Sequence, residues 1–242
     1  VSGIGGIGMR GETYGVLTNT GTMVATGMAG ATVNLHGLYG TLLNYGTLQT
    51  TAVADAVRTG ANAVGTVIVN SGVIDGRIAA TAGPDKRLEN SGWIGVSGTG
   101  VPIASLFGGT FVQTAAGTLS LRVTSSGTDT LSIFGVARLA GTLAVPFQTT
   151  SLSRAYTLFT ATQGYTGTFT TLATTGLPSF MGASLAYEPN AVSLTLTSGM
   201  AQVAGLTTNQ AAVGAGLDRA FNSVAGVSGP LTALYALDGS QL

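Results

Sequence analysis

The chain has no cysteine, one histidine (His36), one tryptophan (Trp93) and one lysine (Lys86), and charged residues make up only 7% of it, where about a quarter is usual. Without cysteine there is neither a disulfide framework nor a thiolate site, and a single imidazole cannot build a histidine cluster around a metal. Nine basic and nine acidic residues cancel, so no net field attracts nucleic acid or anionic lipid. The lack of cysteine suits a chain that crosses a membrane unfolded, but cytosolic proteins share it, so alone it fixes no compartment. Mean hydropathy is high at +0.44, yet Gly, Ser or Thr interrupts every apolar run before 18 residues, which excludes a transmembrane helix. Val1 begins no signal peptide, and the expectation is an internal or processed segment whose export signal lies upstream.

What the chain does have is glycine, 38 of them among 242 residues, and a repeat. Asn19-Thr-Gly-Thr-Met23, Asn44-Tyr-Gly-Thr-Leu48, Asn70-Ser-Gly-Val-Ile74 and Asn90-Ser-Gly-Trp-Ile94 recur every 25, 26 and 20 residues. Apolar residues precede each copy and period-2 alternation follows, as in Val73 to Ile78. Short strands joined by Asn-x-Gly corners at that period predict stacked coils, about eight along the chain in a rod on the order of 40 Å long. The corner is read as tight because Asn bonds neighbouring backbone and Gly tolerates positive φ. Stacking would align Asn19, Asn44, Asn70 and Asn90 into a structural amide ladder.

Two segments, 51–60 and 80–87, carry much of the charge of this region and are expected as loops ejected between corners. Asp85, Lys86, Arg87 and Glu89 read as a solvated turn, and Asp75 with Arg77 as a surface ion pair. Further on, Leu119, Leu121 and Val123 alternate with Ser120 and Arg122, Leu131 and Ile133 with Ser132, and Leu194 and Leu196 with Thr195, each set facing a core. Gly127, Gly135, Gly141, Gly164–Gly167 and Pro189–Asn190 read as corners. The irregular stretch 146–190, with Pro146, Pro178 and Pro189 among aromatics, is the expected cap of the stack. Thr207-Thr-Asn-Gln210 fits a capping box, with Val213, Leu217, Phe221 and Val224 at helical spacing, and Pro230 can start a second helix bearing Leu231, Leu234 and Leu237.

From Gly109 onward the chain resembles the junction of bacterial autotransporter passengers. The residues that carry this are 109–123 and Asp129-Thr-Leu-Ser-Ile-Phe-Gly-Val-Ala-Arg-Leu-Ala-Gly-Thr-Leu-Ala-Val145, then Tyr156 to Phe169, Ser184 to Leu196, and Asn209-Gln-Ala-Ala-Val-Gly-Ala-Gly-Leu-Asp218. In the last motif Gly214 and Gly216 replace better helix formers. The resemblance implies an all-β, right-handed parallel β-helix with a C-terminal cap and a short helical tail. It divides the chain into coils (1–108), an autochaperone-like junction and cap (109–200) and a helical linker toward a translocator barrel (201–242). The implied folding core is Leu119, Leu121, Leu131, Ile133, Leu143, Leu158, Phe169, Leu194 and Leu196. The implied role is a structural stalk and folding nucleus at the cell surface or secreted, exported across the outer membrane of a Gram-negative bacterium. Implied partners are its own translocator β-barrel and host-surface or sibling passenger molecules, with no nucleic acid and no membrane insertion by this segment.

Motifs for chemistry are nearly absent. Gly3-Ile-Gly-Gly-Ile-Gly8 satisfies G-x-G-x-x-G without the strand and helix that dinucleotide binding needs. His36 has no local nucleophile signature beside it and reads as a structural or surface residue. The acids Glu12, Asp55, Asp75, Asp85, Glu89, Asp129, Glu188, Asp218 and Asp238 look scattered rather than paired. The expectation is a non-enzyme without catalytic, cofactor-binding or metal-binding residues. The alternatives are a polysaccharide-acting β-helix, or the scaffold of an enzyme whose catalytic part lies upstream; another is self-association along flat, Thr-rich flanks.

Overall fold

The computed structural model describes residues 2–3, 7–9, 14–26, 30–51, 54–81, 85–98, 100–223 and 235. The second expected helix, from Pro230, and the position of Val224 lie outside them. The chain winds as a parallel β-solenoid of about 6 turns with a short helix at its C-terminal side. Each turn lays one strand on each of three faces. The first face stacks Ser2–Gly3, Thr22–Ala25, Thr47–Thr50, Val73–Asp75, Trp93–Gly95, Thr118–Ser120, Thr142–Gln148 and Thr171–Thr175. The second runs from Ile7–Met9 through Ala31–Leu35, Asp55–Thr59, Arg77–Ala80, Ala104–Phe107 and Thr130–Ile133 to Ala155–Ala161. The third stacks Val16–Asn19, Thr41–Asn44, Val67–Asn70, Lys86–Asn90, Gly109–Gln113, Ala137–Leu139 and Tyr165–Gly167.

Alternation along each strand sends one set of side chains into the tube. Leu42, Ile68, Leu88 and Phe111 stack in register on the third face, and Leu48, Ile74, Ile94, Leu119 and Leu143 on the first; all are buried. Each such residue contributes about 1.5–3 kcal/mol through burial. The coils number fewer than the eight expected because the chain stops coiling after residue 175. Met181–Glu188 and Ala191–Ser198 instead form an antiparallel hairpin, and its second strand pairs antiparallel with Ala155–Ala161. The cap is therefore this hairpin and not an irregular 146–190 segment; Pro146 itself stands inside the strand Thr142–Gln148.

The charged segments 51–60 and 80–87 also differ from expectation. Asp55–Thr59 is a strand of the second face and Lys86 opens a strand of the third, where both Asp55 and Lys86 are buried. Parallel pairing runs unbroken across residue 108, since Lys86–Asn90 pairs with Gly109–Gln113 over its whole length.

Candidate functional site

The repeat places Asn at the last inward position of each third-face strand, where the chain turns onto the first face. Asn19 Nδ2 donates to Asn44 Oδ1 at 2.8 Å, Asn44 Nδ2 to Asn70 Oδ1 at 2.7 Å, and Asn70 Nδ2 to Asn90 Oδ1 at 2.8 Å. Each Nδ2 also donates to a carbonyl one coil on, from Asn19 to Thr47, Asn44 to Val73, Asn70 to Trp93 and Asn90 to Thr118. The column continues one step that the motif does not reveal, because Asn90 Nδ2 donates to Gln113 Oε1 at 2.9 Å. It stops there, since the next coil brings Leu139 and leaves Gln113 Nε2 buried without a partner. The corner glycines play another part than expected. Gly46, Gly72 and Gly92 do not have positive φ; a Cβ on Gly72 would lie 2.1 Å from the Gly46 carbonyl oxygen. Close stacking of backbone on backbone, not torsional freedom, demands glycine there.

A second corner carries no residue signature. Two residues before each of four third-face strand positions stands a left-handed residue: Tyr14 (φ 52), Tyr39 (φ 56), Gly65 (φ 62) and Asp85 (φ 59). The residue types vary, Tyr twice, then Gly and Asp, so only the backbone shows the period. Tyr14 and Tyr39 stack with ring centroids 5.2 Å apart, and a Cβ on Gly65 would lie 2.4 Å from Tyr39 Cδ1, so the glycine makes room for the ring.

At the corner from the first face to the second, one coil turns on the single residue Gly76 (φ 142) while the following one spans residues 96–103. The short corner between longer neighbours leaves a notch of about 410 Å³ with Asp75 and Gly76 at its floor, Thr50 and Thr51 on one wall, Ser97 and Val101 on the other and Arg122 behind. Asp75 does not pair with Arg77. Its oxygens accept from Ser97 N at 2.8 Å, from the Ser97 hydroxyl and from Gln49 Nε2 at 3.2 Å. Arg77 and Arg58 instead both donate Nε to the buried Asp55. The notch offers hydroxyls, one amide and one carboxylate, groups suited to holding a polyhydroxylated ligand.

Behind it, Arg122 and Asp129 are both buried and form a two-pronged pair, Nε to Oδ2 at 2.7 Å and a second guanidinium nitrogen to Oδ1 at 3.0 Å. Alternation puts Arg122 and Ser120 outward, but the chain leaves the first face here and Ser120 to Thr124 are buried together. Arg122 also donates to the Gly98 and Val101 carbonyls, and Asp129 accepts from Ile103 N at 2.7 Å, so the pair straps the 98–103 segment down.

The nine residues of the implied folding core are all buried, from Leu143, Leu158, Ile133, Leu194 and Leu196 at 0% exposure to Phe169 at 7%. Helix α1 (Thr208–Asn222) carries the expected capping box between Thr207 and Gln210. It docks rather than dangling: Asp218 accepts from Ser198 Oγ, Met200 N and Ala201 N, Asn222 brackets Ser198, and Phe221 is buried against Tyr235. Gly214 lies against the backbone of Ala201, where a Cβ would approach to 3.1 Å, so this glycine permits docking. Val213, at helical spacing, is instead exposed. His36 is exposed beside Gly60. Among the described residues, no three of His, Cys, Asp and Glu are grouped to hold a metal ion. Compared with known families and curated proteins, the chain matches no family model and no curated protein.

Proposed function

We propose that this chain is the stalk and folding nucleus of a bacterial surface protein of the autotransporter passenger type, exported and held outside the cell by its own translocator barrel. The observation that carries the reading is the difference in how the strands are joined. The cap hairpin forms between strands linked by Pro189–Asn190, a local contact with little loop-closure cost. Each parallel coil, in contrast, can add only on an edge already laid down some 20 to 26 residues away. The C-terminal segment therefore folds first and templates the others toward Val16, an order suited to a chain emerging gradually. Its motifs from Gly109 to Asp218 agree with the resemblance.

Pulse-labelled hydrogen exchange during refolding of the whole chain tests the nucleus. Protection should arise first in 155–198 and spread toward the N-terminal coils; simultaneous or reverse protection overturns it. Reading the encoding frame past Leu242 tests the anchor. Strands of about ten residues with alternating apolar positions are expected, and any other kind of domain there sinks the export reading. A second reading, a polysaccharide-acting β-helix, is favoured by the hydroxyl-lined notch at Asp75; release of reducing sugar that vanishes in Asp75→Asn would establish it.

A further inference from the structure

Parallel sheets are usually covered on both sides, yet the outer surface of the third face carries a self-complementary pattern. Register aligns two outward columns. One runs Val16, Thr41, Val67, Arg87, Thr110; the other runs Thr18, Leu43, Val69, Glu89, Val112. Val16 is 63% exposed. Arg87 and Glu89 pair with each other on the exposed surface at the fourth of these five levels, the other four of which carry only aliphatic residues and Thr; one coil beyond, the Glu89 column reaches the exposed Arg138. Tyr39 stands just before the strand Thr41–Asn44 and Tyr45 just after it, 47% and 55% exposed.

We infer that this face pairs two copies of the chain side by side, about a two-fold axis parallel to the solenoid and midway between the two columns. Rotation about that axis keeps every coil at its own level and exchanges the columns. Arg87 then faces Glu89 of the second copy, and Glu89 faces its Arg87. Val67 meets Val69, Thr41 meets Leu43, and Tyr39 on one rim meets Tyr45 on the other. An isologous contact needs a surface complementary to itself under the two-fold, and opposite charges in adjacent columns at one level satisfy that condition. Arg87 and Glu89 thus set register while the aliphatic residues supply burial. The Thr column of the first face, Thr22, Thr47, Thr118, Thr142 and Thr171, is broken by Val73 and Trp93 and has no such charge pairing.

At about 4.8 Å between coils and 3.3 Å per residue, five coils of four or five residues give roughly 400 Å² per copy, the size of a transient contact. Dissociation in the range of tens to hundreds of micromolar is expected, tightening where many copies share one cell surface.

Sedimentation equilibrium of the full chain tests this with two charge reversals. At the 87/89 level Arg87→Glu presents only acids and Glu89→Arg only bases, so each variant alone should lose association at least tenfold. An equimolar mixture should regain it, because every Glu then faces an Arg, and the double variant R87E/E89R should associate like the parent. Circular dichroism on each variant confirms the coil is retained. A parent that stays monomeric to about 1 mM, single reversals that associate unchanged, or a mixture that fails to recover would each overturn the proposal. So would equal loss in Thr118→Glu on the first face.

Discussion

The coils before residue 114 and those after it fill the same tube by different means. Before it, the inward position at the third corner is an amide in every coil from Asn19 to Gln113, buried and bonded along the axis. After it the same column turns apolar at Leu139, and aromatic pairs fill the core: Phe159 packs on Tyr165 at 6.3 Å and Phe147 on Tyr156 at 6.1 Å, with Phe159 also reaching Phe111 of the last amide-bearing coil at 6.0 Å. An amide column is satisfied only when its neighbours are already in register. An aromatic core gains from burial whatever its final alignment. The first part is thus specified by its neighbours and the second can hold itself together, which fits a nucleus at the C-terminal side.

The sharpest way to break this comparison is a charge in the aromatic part. Ile133→Asp or Leu158→Asp buries an unpaired carboxylate at a position with 0% exposure, a cost of several kcal/mol, and should abolish refolding from denaturant. Thr149→Asp should refold at the parental yield, since an Asp can keep the bond Thr149 accepts from Ser151 N. Equal yields among the three would refute the nucleus.

The next effect in size concerns buried ions. Arg122→Met leaves Asp129 with only backbone donors, Ile103 N and Arg122 N, and should cost about 3–5 kcal/mol, read from urea midpoints. Arg58→Met should cost about 1 kcal/mol or less, because Asp55 keeps Arg77 and Arg58 is partly exposed. If the two variants were equally damaging, the strap at 98–103 would not depend on the Arg122 pair.

The repeated Asn and the alternating strands could be read from the sequence because each coil repeats the same residue under the same constraint. Gln113 escaped because its corner, Gln113-Thr-Ala-Ala-Gly117, is two residues longer than Asn-x-Gly. The left-handed corners escaped because Tyr14, Tyr39, Gly65 and Asp85 satisfy one backbone need with three residue types. The hairpin cap is not legible from Pro146, Pro178 and Pro189, because proline suggests irregular backbone, whereas here Pro146 stands within a strand and Pro189 in the turn of the hairpin. The Arg122–Asp129 pair was hidden by extending a strand's alternation past the point where the chain leaves its face. Of the notch, the sequence points only to Asp75, and to Arg77 as its partner, because corner lengths in neighbouring coils make the cavity and no single segment encodes it.

Within the ladder, position should decide the cost. Asn70→Ala removes an acceptor from Asn44 and a donor from Asn90 while both stay buried, about 2–4 kcal/mol for groups left unsatisfied. Asn19→Ala removes a donor to Asn44 and to the Thr47 carbonyl and the acceptor of Gly21 N, which is exposed to water, about 1–2 kcal/mol. Thermal midpoints of the two variants order them, and an end substitution as damaging as the central one would mean that the amides do not act as a column.

The smallest effect separates the two parts by pH. Burial raises the pKa of Tyr156, Tyr165 and Tyr187 above 10.0, Tyr165 further through Tyr187 and Glu188. A phenol held neutral in the folded chain contributes nothing pH-dependent below the unfolded value near 10.0. Above it the unfolded chain loses protons that the folded chain retains, and stability falls as pH rises toward the folded pKa. The urea midpoint of the cap should therefore be flat from pH 8 to 9.5 and decline beyond. Tyr187→Phe should start lower, because Phe169 N loses the hydroxyl it donates to at 3.0 Å, and then decline less steeply. An unchanged slope in that variant would place the alkaline sensitivity elsewhere than in the capping phenols.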